Sequence, residues 1–281
     1  MVQVYTLPRD PAEGARLDEQ HQVWKATLNY PDLLHPRIVA SLAGKQARII
    51  ADVATGTGAW LLDLAILAPQ HNYIGLDISA AQYPPVYPSN TSFDVLNILE
   101  PVPAKYEGYF DVIHVRLLVL GLVGEQWHTT ARNLLAMLKP GGFLQWEEAD
   151  FAHPIYHSGS DDNTTCSALE SLTNHALTVS QPTGRLLDEA TRLQEFLGLA
   201  GFAEVEEKVV GSDAVPEWRE RFMRIGIKAF GGILRMSKFD EGARVGLVKE
   251  AEKAVDEGAW GETSSMLSLG ERKRKEDSSW N

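Results

Sequence analysis

Apolar residues recur along the chain in two periods, and their alternation lays out strands and helices in turn. Ala47 to Val53 is a short apolar run rich in β-branched residues, the pattern of a buried parallel strand. Trp60 to Leu67 then repeats apolar residues at helical spacing. Asn72–Asp77, Thr91–Leu96, Tyr109–Val115, Phe143–Asp150 and Phe202–Val210 read as further strands. Helical spacing marks residues 12–29, where Leu17, His21, Trp24 and Leu28 share a face, and residues 125–138, 167–179, 184–199, 217–236 and 239–255. Tyr30-Pro31 should end the first helix, and Asp32 should cap another reaching about Gly44. Strands alternating with helices predict an α/β fold built on a mainly parallel sheet.

The last third departs from that alternation. Trp218, Phe222, Ile225 and Ala229 lie along one helical face, and only Ser265–Leu269 has the character of a short closing strand. Residues beyond about Ser268 are expected to be disordered, because Glu271–Asn281 offers only Trp280 for burial. A weak closing strand would leave a sheet edge open, and an open edge invites a homodimer.

Between the first strand and its helix lies Ala54-Thr55-Gly56-Thr57-Gly58. A strand, a glycine-rich turn and a helix form a nucleotide-type cradle. A dinucleotide-binding G-x-G-x-x-G would need a third glycine where Leu61 stands. Asp77 ends the next strand, where a carboxylate meets the ribose of a nucleoside, and Asp52 sits just before the turn. Asp52 followed by hydrophobic-small-x-Gly-x-Gly resembles motif I of the class I S-adenosylmethionine (SAM) methyltransferases, with Ala54 where that family often has a first glycine. Phe110-Asp-Val-Ile-His-Val-Arg-Leu-Leu118 is a further match, and Leu138-Lys-Pro-Gly-Gly142 is widespread in the class, its physical role a tight turn. Arg16-Leu-Asp-Glu-Gln-His21, Leu34-His-Pro36 and Trp146-Glu147-Glu148 resemble more narrowly a fungal methyltransferase-like family of natural-product biosynthesis.

The resemblance covers about residues 15–210. It implies a Rossmann-like class I methyltransferase sheet with an N-terminal helical lid (1–46), a SAM-binding core (47–212) with a helical insertion at about 151–182, and a mainly helical C-terminal extension (213–281) with a flexible tail. It implies cofactor contacts from Asp52, Ala54, Thr55, Gly56, Gly58, Trp60, Asp77, Ile78, Asn97, Ile98 and Arg116. Asn97 takes the position that meets the adenine amino group, with Asp94 as the alternative. Trp24, Tyr30, Trp146 and Glu147 are candidate substrate contacts. A hydroxyl or amide nucleophile would need a nearby base, for which His21, His114, Glu148 and His153 are the candidates.

Composition narrows the partners. A net charge of −12 argues against a general affinity for nucleic acid and leaves a small-molecule substrate. The single Cys166 excludes an internal disulfide and fits a reducing, cytoplasmic setting. No apolar run approaches the ~20 residues that span a bilayer, and the N-terminus lacks the basic start and apolar core of a signal peptide. His153, His157 and His175 fit no compact zinc spacing. The basic run Arg272–Lys275 reads as a solvated tail. The expected activity is methyl transfer to a nitrogen, oxygen or sulfur of a small natural product. The alternative is a SAM-binding protein that does not methylate, acting as a pericyclase, an isomerase or a regulator of secondary metabolism.

Overall fold

A computed structural model describes residues 7–30, 32–44, 46–158 and 166–273. Helix α1 (Pro11–Leu28) starts where the Asp10 carboxylate accepts from the Glu13 N–H at 2.9 Å, with a proline in the first turn, and ends at Asn29 in the left-handed region, φ 51°. Pro31, expected to help stop it, lies outside the described residues. Helix α2 (Pro36–Leu42) is capped by His35, whose Nδ1 accepts from Arg37 N–H at 3.3 Å, and not by the expected Asp32. Pro36 in the first turn fixes that later start.

The core follows as β1 (Ile49–Val53), α3 (Ala59–Leu67), β2 (Asn72–Asp77), β3 (Thr91–Val95), β4 (Phe110–Arg116), α4 (Gln126–Met137) and β5 (Leu138–Ala149). After it come β6 (Ile155–His157), α5 (Ser167–Ser180), α6 (Leu193–Ala200), β7 (Ala203–Gly211), α7 (Arg219–Met236), α8 (Glu241–Asp256), β8 (Trp260–Glu262) and β9 (Ser264–Glu271). The main sheet runs β3-β2-β1-β4-β5-β9-β7. Its first five strands are parallel, and β9 is antiparallel to both neighbours. Strand order reverses between β1 and β4, so their C-terminal ends flank a switch-point crevice.

Three expectations about the C-terminal end are corrected. The closing strand is present: β9 pairs along its length with β5, Leu267 opposite Glu147 and Leu269 opposite Gln145, and on its other side with β7. Ser265, Leu267, Ser268 and Leu269 are all buried, so a serine-rich segment that reads as linker by composition fills an interior strand. Residues 269–273 are ordered by it. The Arg272 backbone N–H donates to Gly142 O at 2.9 Å, and its guanidinium donates to Leu135 O at 3.1 Å, Ala136 O at 3.2 Å and Leu138 O. A cation on the last carbonyls of α4 is a C-terminal cap, not a solvated tail. The disorder expected of 274–281 lies outside the described residues.

The argument for a homodimer loses its premise with that strand. The sheet's edge is β7, which carries Glu204, Glu206, Glu207 and Lys208, and Arg37 of α2 reaches across to Glu204, Glu206 and Glu271. Charged, covered edges resist pairing.

The Lys-Pro-Gly-Gly stretch does not end a strand. Leu138 faces Phe110 and Phe143 faces Val112, so Lys139–Gly142 form a bulge inside β5. A Cβ on Gly142 would stand 2.9 Å from Lys139 O and 3.0 Å from Asp111 O, which excludes any other residue there. The helix read over 184–199 begins only at Leu193, because Gly184 at φ 78° closes a turn and residues 189–192 are a 3-10 segment. No helix among the described residues is long and apolar enough to cross a membrane.

Candidate active site

The turn after β1 is held open by left-handed backbone. Ala54, Gly56 and Gly58 have φ of 59°, 53° and 75°. Gly58 is needed for reasons unlike those its sequence position suggests. It does not line the cavity; a Cβ there would meet the Phe93 ring at 2.8 Å. Ala54 carries the strain that a glycine would relieve, about 1–2 kcal/mol, partly offset by the greater freedom of glycine in the unfolded chain. Ala54→Gly should therefore stabilise the fold by roughly 0.5–1 kcal/mol in urea denaturation.

A crevice opens beside this turn. Asp52, Ala54, Thr55, Gly56, Asp77, Ile78, Asn97, Ile98 and Arg116 all line it. Asp77 anchors it, one carboxylate oxygen accepting from Gly56 N–H at 3.0 Å and the other from Ser79 N–H at 3.0 Å. Burial raises its pKa above the ordinary carboxylate value, against the pull of those two bonds. Asn97 Oδ1 accepts from Leu99 N–H at 3.1 Å, which turns the chain at the crevice wall. Asp94 does not line the crevice; it takes Lys105 and the Tyr106 hydroxyl, the latter at 2.7 Å. Of the two, only Asn97 lies on the crevice wall.

Sequence reasoning missed part of the wall: Arg9, Arg16 and Gln20 from the N-terminal segment, Gln82, residues 117–122, and Phe230 and Ile233 from α7. The amphipathic face of α7 was visible, but nothing in it said that the helix folds back over β4. The Arg16 phrase had been read as a family match without a role.

Behind the crevice floor lies a buried charge network. Asp52 Oδ1 stands 2.7 Å from His114 Nδ1, Asp52 Oδ2 accepts from Thr55 Oγ1 at 2.6 Å, and His114 Nε2 lies 3.5 Å from Glu147 Oε1. Burial opposes charge on His114, but the flanking Glu147 and Asp52 carboxylates prevail and raise its pKa. Glu147, drawn the other way by His114 and Arg116 against its own burial, has a lowered pKa. Trp60 stacks on the His114 ring at 3.7 Å and 6°, which makes it a wall of this network; it does not line the main crevice.

None of the four candidate bases stands free in the cavity. Arg116 can only donate, so His21 Nδ1 accepts from it at 3.3 Å and the proton sits on Nε2, 3.1 Å from Asp63. Burial, then Arg116, lowers the His21 pKa to about 4, and both ring nitrogens are engaged. His114 lines the crevice but carries its proton between two carboxylates. Glu148 is fully buried: Oε1 accepts from Leu118 N–H at 2.7 Å and Trp146 Nε1–H at 2.8 Å, holding the 117–120 segment that walls the crevice. His153 is exposed and bonded to Asp150.

Three of the four candidate substrate contacts lie elsewhere as well. Trp146 is wholly buried against Trp127, and Glu147 belongs to the network. Tyr30 sits under Lys208 at a small recess with Trp24 and Glu147, away from the crevice. Trp24 alone of the four also lines a second, apolar chamber, which adjoins the crevice and shares Gln20, Phe151, Gly226, Ala229 and Phe230 with it.

Burial pushes the Glu148 carboxyl up to about 8. Between the ordinary histidine value of 6.5 and that value, the folded protein keeps a proton that the unfolded chain has released. Stability should therefore fall as pH rises through this window, by about 1.4 kcal/mol per pH unit from Glu148, and the raised His114 pulls in the same direction. His21, with its lowered pKa, is neutral in both states over most of the window and contributes little. Glu148→Gln should flatten the slope in denaturant titrations at several pH values.

The matches with known proteins fall on this site. Residues 50–142 match a family described as a methyltransferase domain. Over those residues the chain is similar to methyltransferase domains, and SAM is the cofactor that goes with such a domain. Its relatives are fungal: it is 42% identical over 155 residues to methyltransferase grgD of Penicillium sp, covering 52% of this chain and 53% of that protein. It is 37% identical over 142 residues to N-methyltransferase sirN of Leptosphaeria maculans, covering 50% and 48%. A longer match, 28% over 205 residues, is to N-methyltransferase tcpN of Claviceps purpurea, covering 72% and 69%. The chain thus spans about half the length of the first two relatives. In fold it matches the methyltransferase solved with the Trm112 activator of Haloferax volcanii, with a TM-score of 0.52 at 14% identity, over 94% of this chain and 96% of that one.

Proposed function

We propose that the chain holds SAM in the crevice and transfers its methyl group to a nitrogen, oxygen or sulfur of a small natural product in the cytoplasm. The observation that carries this reading is the adjacency of two chambers: a nucleoside-type cradle at the β1–β4 switch point shares a wall of Gln20, Phe151, Gly226, Ala229 and Phe230 with an apolar chamber lined by α1, α5 and α7. A methyl donor in the first and an acceptor in the second would meet in line, within the ~3 Å that displacement needs. Asp77 would take the ribose hydroxyls, Asn97 the adenine edge, and the arginines of the wall the carboxylate. Relatives named N-methyltransferases include sirN, tcpN, gliN of Aspergillus fumigatus and verN of Clonostachys rogersoniana, which favours nitrogen. Helix α1 acts as a lid: its Gln20 touches both chambers, while its His21 and Lys25 clasp Asp63 of α3.

Bound SAM supplies an electrophilic methyl and needs little from the protein beyond orientation and dryness. That suits a site whose candidate bases are all committed elsewhere. The same commitment also fits a SAM-binding protein that does not methylate. Release of S-adenosylhomocysteine in the presence of an extract of natural products decides between them: turnover with a mass gain of one methyl supports transfer, and binding without turnover supports the alternative.

A further inference from the structure

The second chamber limits what it can hold. Among the described residues that line it there is no aspartate, glutamate, lysine, arginine or histidine. Its one titratable side chain is Tyr156, whose pKa burial pushes up to about 12 and whose hydroxyl is 2.6 Å from Thr173 Oγ1. Those two hydroxyls satisfy each other. Trp24, Phe151, Tyr156, Phe222 and Phe230 give the walls aromatic faces, and Met223 adds an adaptable one. An ion entering would lose its hydration without gaining a counter-charge, since Gln20, Thr263 and the Trp24 indole N–H offer only neutral hydrogen bonds, whereas a ring system would stack.

We infer that this chamber takes an uncharged acceptor with an aromatic ring system and rejects carboxylates and ammonium ions. Asp52, His114 and Arg116 line the crevice with Glu147 behind them, and none of the four lines the chamber, so polarity is segregated: the donor side is ionic and the acceptor side carries no ion. The inference rests on the crevice being the donor site, because that is what makes the adjoining chamber the acceptor's.

The test uses the full chain with and without saturating S-adenosylhomocysteine, and three naphthalene probes of equal size. 2-Acetylnaphthalene is neutral, 2-naphthoate an anion and 2-(aminomethyl)naphthalene a cation at neutral pH. The neutral probe should bind at least about tenfold more tightly than either ion, read by quenching of tryptophan fluorescence. Phe222 is half-buried, so a lysine there can reach solvent while adding charge to the wall. Phe222→Lys should swing the ratio towards naphthoate by about tenfold or more while leaving S-adenosylhomocysteine affinity unchanged. If that variant fails to fold, Phe222→Ala should weaken the neutral probe severalfold. A charged probe binding as tightly as the neutral one overturns the inference. So does failure of every probe to bind, or a ratio and an affinity indifferent to substitution at Phe222. Should the probes behave as expected while S-adenosylhomocysteine does not bind, the donor reading fails and the chamber's selectivity stands.

Discussion

SAM affinity measured by calorimetry is expected to fall roughly 10- to 150-fold in an Asp77→Ala variant, from the loss of charge-assisted hydrogen bonds worth about 1.5–3 kcal/mol. Asp77 does two jobs at once. As the last residue of β2 it points into the crevice, and its two oxygens fasten Gly56 N–H and Ser79 N–H, one on each side of the ligand's seat. Removing the carboxylate frees the glycine turn as well as the ribose partner. Asp77→Asn keeps one acceptor and should lose less. Because burial raises the Asp77 pKa, SAM affinity should begin to weaken on acidification at a higher pH than an exposed carboxylate would cause. Unchanged affinity in Asp77→Ala would place the ribose elsewhere.

The strands and helices that rest on periodicity alone were legible. β2 occupies the residues read from the sequence, and α7 and α8 fall within two residues of their expected starts and one of their ends. These segments have one local pattern each and no competing one. The failures have a common cause, which is that tertiary contacts overrode composition. β9 is three-eighths serine, yet it is buried because its backbone pairs with β5 on one side and β7 on the other. Nothing local announces such a pairing. The same holds at Arg272, which looks solvated beside Lys273 until the α4 carbonyls are seen to end next to it.

At the site, motif geometry was readable and chemistry was not. Asp52, Gly56, Asp77 and Asn97 stand on one cavity because a strand, a turn and the strand order of the sheet are all local or topological facts. Which histidine is free is a matter of partners up to 95 residues away, as between His21 and Arg116. A histidine and a carboxylate look like a base in sequence; in the folded chain His21 and Glu148 are held by hydrogen bonds, and His114 is fixed by Asp52 with its Nε2 buried 3.5 Å from Glu147. Trp60 and Gly58 belong to the motif by position but serve His114 and Phe93 rather than the cavity wall.

His114→Leu is expected to cost about 3–5 kcal/mol of folding stability, because it strips the counter-charge from buried Asp52 and Glu147. The position is dictated from the strand upward. β4 lies beside β1 with His114 opposite Asp52, and beside β5 with His114 opposite Gln145, two residues before Glu147 on the same face. The cation is thereby held between two acids at 2.7 Å and 3.5 Å and roofed by Trp60. With leucine the ring's packing on Trp60 is partly kept, so the loss measures charge more than volume. The contribution of a raised histidine is fully present below its unfolded value of 6.5 and fades as pH rises through the higher folded value. The gap between wild type and variant should therefore narrow in alkaline solution. Adding Glu147→Gln to His114→Leu should recover part of the loss, since one stranded charge is removed; the double variant tests whether the two residues act as one unit. Guanidinium denaturation of the four proteins at neutral and alkaline pH provides the measurement. A loss under about 1 kcal/mol, or a deficit that grows with pH, would mean that His114 is neutral in the fold and that the cation serving Asp52 lies elsewhere.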